Sequence, residues 1–472
     1  MRVGEDERGR VVIEELTEHG LRGELARAAY FFKIGANQKT LQCAPCIEIV
    51  RDIQSRPARE WGLPSLELLI QAPAIRPDGS IICRAGYDPA TFLYYSPAPG
   101  LTVPDIPEIV SAAHVEVAKK RIESAFGDFV FQDEASRANL LASLLTPLVR
   151  SLIEGPTPLA IYDAPQAGTG KSLLAESVTM IATGRPPDTF SAPRDPEEWR
   201  KKITTMLVKG SAVVVIDNVE AVLDSDALCS ALTALVLSDR RFGTFEQLNL
   251  PVRCAWIATG NNVRLGGDMP RRAYWIRLDA QSSRPFQRTG FRHEDLREWV
   301  KSNRGHLIAS LLMIARYWFN SGCPAPSRIK RMGSFESWCN VVGGMLECAG
   351  IDGFLGNAEA KLANNDLEAG QWEEFLLAID RIYRGESFRV AEILDKLTPG
   401  RCTETTDVTA LRQAMPDEIA EAIQRRSASC SRLLGNSFSS RIDRRYGDRQ
   451  VHVTRDAMDA KTKVARWKVV AS

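Results

Sequence analysis

The stretch DAPQAGTGKSLLAE, residues Asp163 to Glu176, decides the reading of this chain. Gly168, Gly170, Lys171 and Ser172 follow the order of a phosphate-binding loop, G-x-x-x-x-G-K-[ST], with Pro165 where that pattern has its first glycine. A proline there keeps a fixed φ, which also sets a turn. Upstream, PLAIYD reads as a short buried strand, and downstream KSLLAESVTMIA reads as an amphipathic helix ended by Gly184. Strand, glycine loop and helix together aim backbone N–H groups and the positive helix end at one point, as a polyphosphate requires. Pro165, Gln166, Ala167, Gly168, Thr169 and Gly170 form the expected cradle. Lys171 reaches the β- and γ-phosphates and Ser172 offers its hydroxyl to Mg²⁺, so the expected cofactors are ATP and Mg²⁺.

Hydrolysis also needs a carboxylate at the end of a neighbouring strand. SAVVVIDNVE supplies it: four apolar residues, Val213 to Ile216, lead to Asp217, the expected Mg²⁺ partner of Ser172. Asn218 follows where a carboxylate is common, so the catalytic base stays open. Glu220 either orients the attacking water or occupies the first turn of a surface helix. A third strand, CAWIATGNN, ends in Asn261 and Asn262, which serve either the site or a turn. In RLGGDMPRRAYWIRLDA, Arg271 and Arg272 precede a final strand, as site residues or as a solvated basic pair.

The surrounding chain is 472 residues long, too much for one hydrophobic core. Residues 1–110 mix helical pieces with a strand-rich section in which Asp78-Gly79 marks a hairpin, and SPAPGLTVPDIP closes them as a linker. Helical spacing from Val110 to Ile153 leads into apolar runs alternating with amphipathic segments, the pattern of a parallel α/β sheet. The expected divisions are an α+β accessory domain (1–110), an α/β nucleotide-binding core with leading helices (111–289), a helical region (290–370) and a C-terminal domain (371–472). In the last, helices precede two alternating segments, RQVHVTR and KVARWKVV, as in a winged helix.

Sixty Lys+Arg against 59 Asp+Glu leave a net charge of +1, so any nucleic-acid contact must be local. From Arg425 to Lys468 twelve Lys or Arg face four Asp or Glu, a local net of +8 and a phosphate footprint. SRLLGNSFSSRIDRRYG is the expected recognition helix, with Arg432, Arg441, Arg444 and Arg445 available to DNA, although such a domain also serves as a protein-docking module. The start of the chain has no apolar signal region and no stretch spans a membrane, so a cytoplasmic protein is expected. Ten scattered cysteines fit a reducing compartment, and Cys43 and Cys46 in CAPC lack the second pair of a zinc knuckle.

The ordered set APQAGTGKS, VVVIDN, WIATGNN and GDMPRRAYWIRLD, followed by GSFESWCNVVGGMLECAGIDGFLGN, resembles the AAA+ ATPases of prophages, plasmids and integrated elements, relatives of superfamily-3 and minichromosome-maintenance-like replicative helicases. The resemblance covers about residues 135–360. It implies a homohexameric ring that hydrolyses ATP and moves on single-stranded or forked DNA. No primase or polymerase motif is apparent in the chain, so priming is expected from a separate primase or polymerase or from a lost N-terminal part. The resemblance also implies that Asn261 or Asn262 holds the attacking water, and that Arg271 or Arg272 reaches a neighbouring subunit's ATP as an arginine finger. A hairpin before the third strand, SDRRFGTFEQLNLPVR, would touch DNA through Arg240, Arg241 and Arg253; the same residues also read as two core strands with incidental arginines. An ATPase that loads or remodels a protein on DNA is the alternative, and a monomeric kinase-like enzyme a third class.

Overall fold

The computed structural model describes residues 2–5, 11–14, 16–35, 38–56, 60, 62, 64–240, 247–328, 331–359, 367–424, 430–456 and 465–471. The chain forms two compact units, Met1–Glu359 and Ala360–Ser472. The boundaries expected near 110 and 290 therefore fall inside the first unit.

Its centre is a five-stranded parallel sheet in the spatial order Asp188–Ser191, Val213–Val219, Ala255–Asn261, Leu159–Ala164, Ala273–Arg277. Strand alternation loads both faces. Ala160, Tyr162, Val213 and Val215 enter one core, while Leu159, Ile161, Val214 and Ile216 enter the other. Strands buried on both sides read as continuous apolar runs, which is why VVVI and PLAIY carry no polar break. The first core is roofed by the helices Ala112–Phe126, Glu134–Leu145, Lys171–Thr183, Leu296–Asn320 and Glu336–Cys348, the second by Pro196–Val208 and Asp226–Thr233.

The expected helical region joins this core through its long helix Leu296–Asn320, which packs against helices Ala112–Phe126 and Lys171–Thr183. Arg304 of that helix is buried and donates to the carbonyls of Ile181 (2.9 Å) and Ala182 (3.3 Å), satisfying the end of helix Lys171–Thr183, and to Gln71 O (2.9 Å). Burial lowers its pKa to about 10. The segment before the linker is tied in as well: Ala72 and Ile75 belong to the first core, and Ser151 donates to the Ile75 carbonyl. Within it, Ala74–Ile75 and Ile81–Ile82 pair antiparallel around the Asp78-Gly79 turn, where Gly79 adopts φ +82° and Asp78 accepts from the Ser80 N–H. These ties make one unit of what composition divides into three.

The second unit has its own core, built on Trp372, Phe388, Phe438 and Trp467. Among the described residues the helices Leu367–Tyr383, Val390–Leu397, Thr406–Gln413, Asp417–Gln424 and Cys430–Ser440 precede an antiparallel pair, His452–Arg455 with Trp467–Val470. Phe388 and Trp467 exchange two backbone hydrogen bonds of 2.8 Å, adding a third short strand position to that pair. No helix among the described residues is long and apolar enough to cross a membrane.

Candidate functional site

Ligands of open parallel sheets bind beyond the carboxyl ends of the strands, where the chain path divides to either side. The loop strand Leu159–Ala164 stands at such a point, with Ala255–Asn261 on one side and Ala273–Arg277 on the other. Gly168 and Gly170 take φ of +81° and +91°, which lets the loop curl back on itself before the helix starts at Lys171. A Cβ on Gly168 would come within 2.9 Å of Phe286, and one on Gly170 within 2.8 Å of Phe129. Neither glycine can be replaced without moving an aromatic neighbour.

Lys171 is buried, and its ammonium donates to Asn261 Oδ1 at 2.7 Å and to the Gln166 carbonyl at 3.3 Å. Burial pulls its pKa below the ordinary lysine value, against the opposing pull of Asp163 and Asp217. A polyanion in the loop supplies the negative charge that this desolvated cation lacks. Ser172 Oγ lies 3.4 Å from Asp217 Oδ1, and the same carboxylate oxygen accepts from Thr259 Oγ1 at 2.5 Å. Hydroxyl and carboxylate oxygens converging at one point suit a hard cation such as Mg²⁺. Among the described residues no group of three or more His, Cys, Asp or Glu is placed to hold a metal ion by itself.

The register shifts between Ile216 and Val219, a bulge that turns Asp217 out of the regular pleat. Asn218 sits in it at φ +55°, a left-handed conformation that asparagine tolerates better than glutamate. This backbone explains why an amide follows the acid. The Asn218 N–H donates to Thr259 Oγ1 (3.1 Å) and its side chain to Glu220 Oε1 (2.8 Å). Glu220 lies in the loop beyond the strand, and the next helix begins only at Asp226, so the surface-helix alternative for Glu220 is corrected.

The two amides separate in role. Asn261 faces Lys171, whereas Asn262, at φ +46°, donates to the Pro165 carbonyl at 3.2 Å and accepts from Arg277 at 2.8 Å. Arg277 also forms an ion pair with the buried Asp163, whose other oxygen accepts from the Val263 N–H at 3.0 Å. Asp163, Thr259 and Arg277 were not singled out by sequence; only the position of each at a strand end carried a signal. Asn262 thus braces the start of the loop, on the side where Pro165 stands in for glycine.

Arg271 and Arg272 divide as well. Both pair with Asp268, at 2.5 and 2.9 Å, and the two guanidinium hydrogen bonds, that of Arg271 first, hold the Asp268 carboxyl below its usual range. The Arg272 side chain is only 15% exposed and donates to the Cys229 carbonyl and Thr233 Oγ1, closing the end of helix Asp226–Thr233; that of Arg271 is 67% exposed. The expectation of an interchangeable or solvated pair is therefore corrected: Arg272 is spent inside the fold.

The hairpin Val236–Arg240 with Gln247–Pro251 is mostly exposed, which corrects the alternative of two core strands. Its buried Asp239 accepts from Arg200 (2.6 Å) and Thr204 (2.6 Å), anchoring it to helix Pro196–Val208. Arg240 is exposed on it, Arg241 and Gly243 lie outside the described residues, and Arg253 lies beyond the hairpin, paired with Glu67 at 2.6 Å. Arg253 is thus removed from the set of hairpin cations. In the second unit the expected recognition helix ends at Ser440, so Arg441, Arg444 and Arg445 follow it rather than line it. Arg441 lies 4.4 Å over the Trp372 ring, while Arg432, Arg444 and Arg445 are exposed.

A cavity of about 260 Å³ opens beside the loop, walled by Phe129, Val130, Leu173, Leu278 and Phe286 next to Gly170. Asp128, Arg288, His293 and Glu294 also line it. Its aromatics lie in segments without a recognisable motif and are visible only once the chain is folded.

No known family description and no curated protein matches the chain. Among solved structures it is similar to the NrS-1 C-terminal region in its A-form apo state, at 14% identity over 95% of this chain and 98% of that one, with a TM-score of 0.38. It is also similar to the SCCmec type IV Cch active helicase, at 13% identity over 85% of this chain and 76% of that one, with a TM-score of 0.36.

Proposed function

We propose that this chain is an ATP-driven DNA helicase or translocase with an AAA+-type core, working as a homohexameric ring in the replication of a phage or mobile element. The observation that carries the reading is the convergence of Lys171, Ser172, Asp217 and Asn261 where the loop and two strand ends meet. Residues 165–172 would cradle the triphosphate, and the nucleobase would take the cavity beside Gly170. Ser172 and Asp217 would hold Mg²⁺, which when bound neutralises charge on the phosphates. Asn261 stands where it can pass from Lys171 to the attacking water, and Glu220, steadied by Asn218, is the proposed base.

In this reading residues 1–110 are accessory, 290–370 form a lid region, and the C-terminal unit is a winged-helix DNA-binding domain. Support for the last is its helices leading to an antiparallel pair, with Phe388 bridged to Trp467. The exposed Arg432, Arg444 and Arg445 and the hairpin's Arg240 are the proposed DNA contacts. ATP-dependent separation of forked DNA, assayed in both polarities beside imaging for rings, tests the whole proposal. ATP hydrolysis without strand separation would favour a protein-remodelling ATPase.

Two substitutions examine its parts. Glu220→Gln keeps shape and removes the charge, so ATP turnover is expected to fall about 10²-fold with nucleotide binding retained; steady-state turnover beside a binding titration checks this, and an unchanged rate moves the base elsewhere. Arg444→Ala with Arg445→Ala should reduce the slope of log K against log salt for duplex DNA by about 1.8, that is about 0.9 for each phosphate contact. An unchanged slope assigns the C-terminal unit to protein docking.

A further inference from the structure

A small cavity lies toward the amino end of the parallel sheet, away from the nucleotide loop. Arg253 lines it just before the strand Ala255–Asn261 begins, whereas Lys171 meets that strand at its last residue, so the strand's length of about 20 Å separates the two places. Leu68, Ile70, Ala74 and Leu93 give the cavity an apolar lining, and Glu67, Arg150 and Arg253 bring charge to it. Arg150 is 5% exposed and has no carboxylate within ion-pair reach among the described residues. Its terminal nitrogens donate to carbonyls only, those of Ile153 (2.8 Å), Gly155 (2.7 Å) and Val252 (3.2 Å), and its Nε finds no acceptor. A buried cation among neutral groups is costly unless an anion comes near. Burial first, and the like charge of Arg253 after it, pull the pKa of Arg150 down to about 10. Glu67, which pairs with Arg253 at 2.6 Å, is the only carboxylate among the described residues that line the cavity. Two guanidinium groups against one carboxylate leave a surplus of one positive charge.

The backbone adds a second sign. Phe92 lines the same cavity at φ +57°, a left-handed conformation that a bulky residue rarely takes. It is 44% exposed, and its carbonyl accepts from the Glu67 N–H at 2.9 Å. Strain of this kind gathers at ligand clamps. What is present defines the missing partner. One surplus charge calls for a monoanion, and planar guanidinium groups match the two oxygens of a carboxylate. The apolar residues suit a short hydrocarbon body. The cavity volume is about 170 Å³, and one of about 150 Å³ holds benzene, so that body can be a single ring. Inorganic phosphate would leave the apolar lining uncovered and overshoot the charge. We propose that this cavity binds a small organic monocarboxylate, its oxygens toward Arg150 and Arg253 and its hydrocarbon body against Leu68, Ile70 and Leu93. The assignment rests on no part of the ATPase site.

The test titrates benzoate into the full chain without nucleotide and reads the heat of binding, beside benzamide, its neutral isostere, and inorganic phosphate. Saturable binding of benzoate is expected, with benzamide and phosphate at least about 10-fold weaker, because hydrogen bonds to a charged group are the stronger ones. Arg253→Ala is expected to weaken benzoate roughly 10- to 150-fold, the worth of one such bond. Glu67→Gln removes the competing carboxylate and should instead tighten benzoate about 5-fold. A gain of affinity cannot come from misfolding, and a melting curve of each variant verifies the fold. Parental affinity in both variants, equal affinity for benzamide or phosphate, or no benzoate binding by either the parent or Glu67→Gln overturns the proposal.

Discussion

ATP turnover in Lys171→Ala is expected to fall by at least about 10²-fold, the loss typical when one preorganised charge-stabilising donor is removed from a reacting site. The side chain is buried, but its ammonium contacts polar atoms only: Asn261 Oδ1, the Gln166 carbonyl and Thr169 Oγ1. The charged end of the side chain takes no part in apolar packing. The cost to stability is confined to those acceptors, at about 1 kcal/mol for a net hydrogen bond, and all of them border the open loop where water can replace the lysine. Relief of a desolvated cation offsets part of that cost. Thermal unfolding of the variant should therefore stay close to that of the parent while hydrolysis disappears. A turnover assay beside a melting curve checks both, and a parental rate would end the phosphate-loop assignment. Loss of hydrolysis together with collapse of the melting transition would be uninformative for alanine, so Lys171→Met, which keeps the aliphatic stem, is run alongside and is expected to be inactive and folded.

What could be read in the sequence was what a short segment carries by itself. The glycine loop, the apolar run ending at Asp217 and the run ending at Asn261 are local, because a strand buried on both faces and a helix start leave their marks within a few residues. The parallel sheet follows from their alternation with helices. What was not readable depends on partners distant in sequence. Arg253 and Arg240 look alike in a string, yet one pairs with Glu67 and the other is exposed. Arg272 differs from Arg271 only because the end of helix Asp226–Thr233 lies against it. Arg441 joins an aromatic ring almost seventy positions upstream. Asn218 departs from the common acidic pattern for a backbone reason, a positive φ within a bulge, that no composition discloses. Contacts across the expected divisions are hidden for the same reason: Arg304, Ser151 and Glu67 each bind residues on the far side of one.

Arg271→Ala is expected to lower ATP turnover by about 10³-fold or more, the size of effect found where an arginine finger is removed, if the proposed ring presents it to a neighbouring subunit. The structure makes Arg271 the better of the two candidates. Its ion pair with Asp268 is an exposed contact worth about 0–1 kcal/mol, so swinging away costs little. Arg272 would have to abandon the Cys229 carbonyl and Thr233 Oγ1 at the end of a packed helix, and Arg272→Ala should lower the melting temperature instead. The two arginines are therefore separable by experiment, one through rate and one through stability. Mixing Arg271→Ala with Lys171→Ala protein then tests whether the finger acts in trans. Each variant alone lacks one half of every interface. In random mixed rings roughly a quarter of the interfaces would pair an intact loop with an intact finger, because a head-to-tail ring repeats one heterologous contact. Partial recovery of hydrolysis in the mixture supports the trans role. Co-assembly verified by labelled subunits without recovery counts against it, and a parental rate in Arg271→Ala alone removes that arginine from the reaction.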